Sequence, residues 1–135
     1  MDSKSIWDPL RRKMVPLTPE ERVRQWFIGV LHESCGVPLT LMGSEVALRY
    51  GGAGKEYRAD VVVFGHGTAP VAVVECKRPE VELTREVLEQ ALRYNAVLGV
   101  DYVFITNGAR TCIAHREGER FVFLPSLPSY KDMDR

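Results

Sequence analysis

Read along the chain, the elements run helix, strands, helix, strands, an order that predicts an α/β domain with one mixed sheet flanked by helices. Two observations carry this expectation. Apolar residues recur at helical spacing in two stretches, one through Val23, Trp26, Phe27, Val30 and Leu31 and one through Val87, Ala91, Tyr94 and Leu98. Between and after them, β-branched runs such as residues 61–63 and 71–74 are bounded by Gly-rich or Asn-Gly turns, the signal of strands joined by hairpins. With 135 residues and 45% hydrophobic content, the chain lies in the single-domain range and can bury a core.

Residues 1–17 read as an N-terminal extension, residues 18–125 as the domain, and residues 126–135 as a tail. The first helix is expected over residues 19–33, with Thr18 as its N-cap and Pro19 in its first turn. Glu21 stands three residues after Thr18, so the pair reads as a capping box, in which the glutamate bonds back to the amide of the cap. Gly36 and Pro38 end this region, and the sheet is expected to begin over residues 45–50. The loop from Gly51 to Lys55 resembles a phosphate-binding loop only superficially. Arg49 and Glu56 stand where that motif requires Gly and Ser or Thr, so a hairpin turn is expected.

Residues 58–64 form the next expected strand, Gly65 and Gly67 a turn, and residues 71–74 a strand buried on both faces. The second helix is expected over residues 85–98, capped by Thr84, with Glu86 favourable to its N-terminal dipole. Gln90 falls beside its apolar stripe, where a glutamine must find hydrogen-bond partners. Gln90 and Tyr94 lie one turn apart on one face. Three short strands follow, near residues 102–106, 110–115 and 120–124, broken at Asn107-Gly108 and Glu117-Gly118. The tail, with Pro125, Pro128 and several charges, is expected to lack regular structure.

Asp60, Glu75 and Lys77 are the candidate chemical residues. Each acid is expected to close a strand. Residues two apart on a strand share a face, so Glu75 and Lys77 point together while Cys76 faces away. Carboxylates at the end of a buried apolar run need partners, and a hard cation such as Mg²⁺ prefers carboxylate and carbonyl oxygens, which makes the Cys76 backbone carbonyl a further candidate ligand. Lys77 can then orient or deprotonate a water, or stabilise charge on a phosphate. Taken alone, the same residues also fit a turn-forming aspartate and a solvated Glu–Lys pair.

Composition excludes several classes. No run reaches the length of a membrane span, and Met1-Asp2-Ser3-Lys4 lacks the layout of a signal peptide, so a cytoplasmic protein is expected. Cys35, Cys76 and Cys112 are odd in number and widely spaced, and His32, His66 and His115 show no ligand spacing; neither a disulfide framework nor a zinc site is expected. The 18 basic and 18 acidic residues cancel, which argues against tight non-specific DNA binding, although Arg11-Arg12-Lys13 can form either a local patch or a solvated cluster.

From Thr18 to Pro125 the chain resembles the N-terminal nuclease domain of type I restriction enzyme R subunits, in a small stand-alone form, within the PD-(D/E)xK nuclease superfamily. The matching segments, in order, are Thr18-Pro19-Glu20-Glu21-Arg22-Val23-Arg24-Gln25, Arg58-Ala59-Asp60, Val74-Glu75-Cys76-Lys77-Arg78-Pro79, Gln90-Ala91-Leu92-Arg93-Tyr94-Asn95 and Thr106-Asn107-Gly108. Ala59 departs from the proline of the superfamily pattern. The resemblance implies a restriction-endonuclease-like αβββαβ core and a Mg²⁺-dependent DNA endonuclease, with Mn²⁺ as a substitute metal. It carries Asp60 and Glu75 over as metal ligands, Lys77 as the catalytic lysine, and Gln90 and Tyr94 as residues that position DNA or the site. It also points to an acid on the first helix, Glu21 or Glu20, near the metal; the capping role of Glu21 is favoured. The translocase fused to this domain in R subunits has no counterpart in this short chain. Cleavage of both strands would need two sites, hence a homodimer or two encounters, and other restriction-system subunits are further expected partners. The alternative is a DNA-binding or partner-binding module that keeps the fold without cleaving.

Overall fold

Valines set the centre of the molecule. In a computed structural model that describes residues 4–50 and 54–134, Val61, Val62, Val63, Val73 and Val74 are almost fully buried, as β-branched residues on a sheet covered on both faces should be. They belong to β4 (Lys55–Phe64) and β5 (Pro70–Cys76), if β1 (Ser5–Asp8), β2 (Lys13–Pro16) and β3 (Met42–Tyr50) are counted before them. β6 (Tyr102–Thr106), β7 (Thr111–Glu117) and β8 (Arg120–Phe123) complete a six-stranded sheet ordered β3-β4-β5-β6-β7-β8. Every pair is antiparallel except β5–β6. That parallel pair requires a crossover, which α2 (Arg85–Asn95) supplies.

Alternation along the strands divides the core in two. Val61, Val63, Val74 and Cys76 face α1 (Pro19–Gly29), packing with Phe27, Leu31 and Phe104. Val62, Val73 and Val103 face α2 and meet Leu88 and Ala91. The mixed sheet flanked by helices, and the order α1, β3, β4, β5, α2, β6 within it, agree with the expected core. α1 passes into a π-helical turn, Val30–Ser34, closed by the Cys35 amide on the Val30 carbonyl and followed by Gly36 at φ 80. α2 runs on as a 3-10 turn, Ala96–Leu98, and ends at Gly99 in the left-handed region.

Several boundaries differ from the sequence reading. β3 begins at Met42 and β4 at Lys55, both earlier than expected, because the two strands pair with each other from Met42 opposite Val63 to Tyr50 opposite Lys55. The phosphate-loop comparison falls on residues 51–53, outside the described residues. The N-terminal extension carries a hairpin, β1–β2, turned at Arg12 with φ 56. Asp8 is wholly buried beneath it and accepts from the Leu10 amide and the Arg11 guanidinium.

The tail is not irregular. α3 (Tyr130–Met133) is a single turn with a complete capping box between Ser129 and Asp132. Tyr130 and Met133 sit three apart and insert into the α1-side core. The Tyr130 amide donates to the Cys35 carbonyl at 2.7 Å and its hydroxyl to the Phe64 carbonyl at 2.8 Å. Asp134 accepts from the His66 amide and pairs with its ring. One turn is too short for hydrophobic periodicity to register, and the flanking charges conceal its two anchors. Removal of residues 126–135 should therefore lower the urea midpoint clearly, and Met133→Ala alone should cost about 2–5 kcal/mol. An unchanged midpoint in both variants would show that the helix contributes nothing.

Candidate active site

The sheet forks at Asp60. β4 pairs with β5 only as far as Val61 opposite Val74, whereas it pairs with β3 back to Lys55. Past Val74, β5 stays with β6, and the Lys77 amide donates to the Thr106 carbonyl at 2.8 Å. The Cys76 amide, turned toward β4, has no strand to meet there. Asp60 Oδ2 accepts it at 2.7 Å. Asp60 thus lies inside β4 rather than at its end, at the point where β4–β5 pairing stops. In a strand a residue's carbonyl leaves on the same side as its amide, so the Cys76 carbonyl faces the same gap.

Glu75 projects to the α2 face, and Lys77 joins it: Lys77 Nζ stands 3.5 Å from Glu75 Oε2. Cys76 enters the opposite core, as parity requires. The Tyr57 hydroxyl donates to Glu75 Oε1 at 3.0 Å, so both carboxylate oxygens are oriented. Burial, with the Glu75 charge added, pushes the Tyr57 hydroxyl pKa strongly upward and keeps it a donor. The sequence reading missed Tyr57 because the strand was taken to begin at Arg58.

Asp60 titrates above the usual carboxylate range. Burial is the main cause; the Cys76 amide and Arg24 oppose it, and the negative charges of Glu75 and Glu20 add to it. Arg24 is only 7% exposed, with Nη2 at 3.8 Å from Asp60 Oδ1 and 3.5 Å from Glu45 Oε1, and Nε at 3.7 Å from Glu21 Oε2. Glu45 reaches this group from β3 through a left-handed φ of 52, at the level of Asp60. An arginine on the buried stripe of an amphipathic helix is the signal that could have revealed Arg24.

Glu21 is differently engaged from either sequence reading. Thr18 Oγ1 accepts the Glu21 amide at 3.1 Å, but the Thr18 amide donates to the Pro16 carbonyl, leaving the capping box half made. The Glu21 carboxylate instead accepts from Arg11 at 2.7 Å and Gln25 at 2.9 Å. Its oxygens are occupied, and Arg24 lies between it and Asp60. Glu20 is exposed, acts on Asp60 through its charge, and has no ion-pair partner among the described residues.

α2 presents Leu88, Ala91 and Asn95 to the core. Gln90 and Tyr94 therefore lie outside the buried stripe assumed for them. Both are exposed, Tyr94 by 46%, and they line a cavity of about 150 Å³ with Glu75 and Lys77. The rings of Tyr94 and Tyr57 meet at 4.6 Å between centroids. Among the described residues no group of three or more His, Cys, Asp or Glu side chains gathers to hold a metal ion. Two mutually repelling carboxylates and a carbonyl edge do form a set of hard oxygen donors of the kind a small divalent cation takes.

Because the pKa of Asp60 is raised, its ionised form weakens the metal-free fold above that pKa, and protonation below it removes the penalty. At pH 7 without divalent ions, Asp60→Asn should leave stability equal or higher, since the amide oxygen still accepts from Cys76. A loss above about 1 kcal/mol, the net worth of a typical hydrogen bond, would contradict this.

Residues 19–128 match the family model described as type I restriction enzyme R protein N terminus. No curated protein matches the chain. Among solved structures it is similar to the fragment structure of a candidate HsdR subunit of a type I restriction enzyme from Vibrio vulnificus YJ016, with 19% identity and a TM-score of 0.63. That likeness covers 87% of this chain but only 24% of the other, so the chain spans about a quarter of its length. It is also similar to a candidate nuclease belonging to DUF820 from Anabaena variabilis ATCC 29413, with 15% identity, a TM-score of 0.52 and coverage of 96% and 88%. At these identities the likeness is one of fold.

Proposed function

The chain belongs to the family of type I restriction enzyme R protein N termini, and on that premise we propose that it is a Mg²⁺-dependent endonuclease domain that hydrolyses phosphodiester bonds in DNA. The observation that supports this most is the meeting of Asp60, Glu75 and Lys77 at the fork, with the carboxylates electrostatically coupled and the lysine 3.5 Å from Glu75. Asp60, Glu75 and the Cys76 carbonyl would hold the Mg²⁺. When bound, the ion supplies Lewis acidity and neutralises phosphate charge. Glu20, exposed beside this group, is a better helix acid for the site than Glu21, whose oxygens Arg11 and Gln25 already take.

The remaining roles fall to side chains. Lys77 orients the attacking water, or balances charge that develops on the phosphate. Tyr57 fixes the plane of Glu75. Gln90 and Tyr94 face the incoming strand from α2. Other restriction-system subunits, or a second copy for cleavage of both strands, are the partners that this reading calls for. No helix among the described residues is long and apolar enough to cross a membrane, and we place the protein with its DNA in the cytoplasm. A non-cleaving DNA-binding or partner-binding module on the same fold is the second reading, and the net charge of zero favours it.

Lys77→Ala separates the two. Under the nuclease reading, cleavage of plasmid and single-stranded DNA in Mg²⁺ or Mn²⁺ should fall on the order of a hundredfold, while DNA affinity changes little. Calorimetric Mn²⁺ binding should survive Lys77→Ala and weaken strongly in Asp60→Asn and Glu75→Gln. Absence of cleavage by the wild type, even with partner subunits added, would favour the module.

A further inference from the structure

The outer wall of the cavity at Glu75 and Lys77 is built by Gln90 and Tyr94 of α2, side chains that take no part in the bond-breaking step itself. Tyr94 keeps nearly half of its surface in solvent, yet its ring is backed by that of Tyr57, itself packed against the α2-side core and hydrogen-bonded to Glu75. It is a braced aromatic face. Val97, three residues on and more than half exposed, extends the apolar surface. One turn earlier, Gln90 offers an amide donor and an acceptor, and no hydrogen bond engages it among the described residues.

The cavity beneath is about 150 Å³, with apolar walls from Val81, Val87 and Ala91. A space of roughly this volume in another protein's core holds a benzene ring. Lys77 lines it, and Arg93, which lines an adjoining depression with Gln90, Tyr94 and Val97, has no ion-pair partner among the described residues. A ring-sized space, a braced aromatic face, an open amide and two cations complement one nucleobase and the phosphates that flank it. We propose that this cleft captures a single unstacked nucleobase beside the bond to be cut, so that DNA with an unpaired nucleotide is the preferred substrate. The proposal rests on the nuclease reading of Glu75 and Lys77. Within a matched duplex both faces of a base are covered by its neighbours, and extrusion is costly; a bulge or a single strand avoids that cost.

Equilibrium binding to three labelled oligonucleotides of one sequence tests this: a single strand, a matched duplex, and a duplex with one unpaired nucleotide, with Ca²⁺ replacing Mg²⁺ to preserve the substrate. The single strand and the bulged duplex should bind at least about tenfold more tightly than the matched duplex, within the range that stacking on one aromatic side chain supports. Tyr94→Ala should abolish the difference, Tyr94→Phe should retain it, and Gln90→Ala should narrow it. A matched duplex bound as tightly as the others, or a preference that survives Tyr94→Ala, would overturn base capture. Cleavage of the same substrates in Mg²⁺ is scored separately. No cleavage, even with partner subunits added, with the binding preference intact would remove the nuclease reading and leave base capture standing; cleavage of all three at equal rates and affinities would do the reverse. Failure to bind any of them would overturn both.

Discussion

The hydrogen bond from the Cys76 amide to Asp60 is the contact around which the candidate site is arranged. A sheet that parts between two strands leaves main-chain groups without partners, and buried groups of this kind are expensive unless something replaces the lost ladder. Asp60 is that replacement. Its position follows from two pairings that cannot both continue: β4 remains with β3, β5 remains with β6, and the gap opens between Val74 and Cys76. The bond also holds the carboxylate at the gap, where the charge of Glu75 acts on it, so the group that closes the gap contributes to the chemistry proposed for it. Burial and the neighbouring acids hold the pKa of Asp60 high even with the Cys76 amide and Arg24 acting against them.

Charge organises the α1 side of the fork as firmly as hydrogen bonding organises the sheet. Arg24 stands among Glu21, Glu45 and Asp60, and Arg11 joins Asp8, Glu21 and Glu45 from the N-terminal hairpin. Through these pairs the β1–β2 hairpin is linked to the residues that flank Asp60. Asp8, Glu21 and Arg24 are the buried members, and removing one of these three leaves its partners uncompensated, which costs more than a surface pair would. The left-handed Glu45 belongs to the same arrangement: its backbone strain brings a carboxylate to two arginines at 3.5 Å. Arg11, which in the sequence is part of a plain basic cluster, is thereby removed from any surface patch available to DNA.

Much of the fold was legible in one dimension, because local physics decided it. Caps at Thr18 and Thr84, β-branched runs and Asn-Gly or Gly-rich turns each specify a conformation within a few residues, and both helices and most strands lie where those signals placed them. α3 escaped because a single turn has no period to read, and its stability comes from two side chains entering a core built by distant residues. The early starts of β3 and β4 escaped because their extension depends on pairing with each other, not on propensity.

For the candidate site, the sequence by itself determined which side chains share a strand face. Period two sends Glu75 and Lys77 to one side and Cys76 to the other, and helical spacing keeps Gln90 and Tyr94 together. Tertiary structure alone decided what those residues meet. Tyr57 reaches Glu75 across the fork, Arg24 comes to Asp60 from α1, and α2 buries Leu88, Ala91 and Asn95, which leaves Gln90 and Tyr94 at the mouth of the cavity. The half-made capping box at Glu21 has the same origin. Thr18-x-x-Glu21 is a local pattern, but Arg11, held over the helix by a buried Asp8, offers the carboxylate a full positive charge where the cap offers one amide, and a charge-assisted bond outweighs a neutral one.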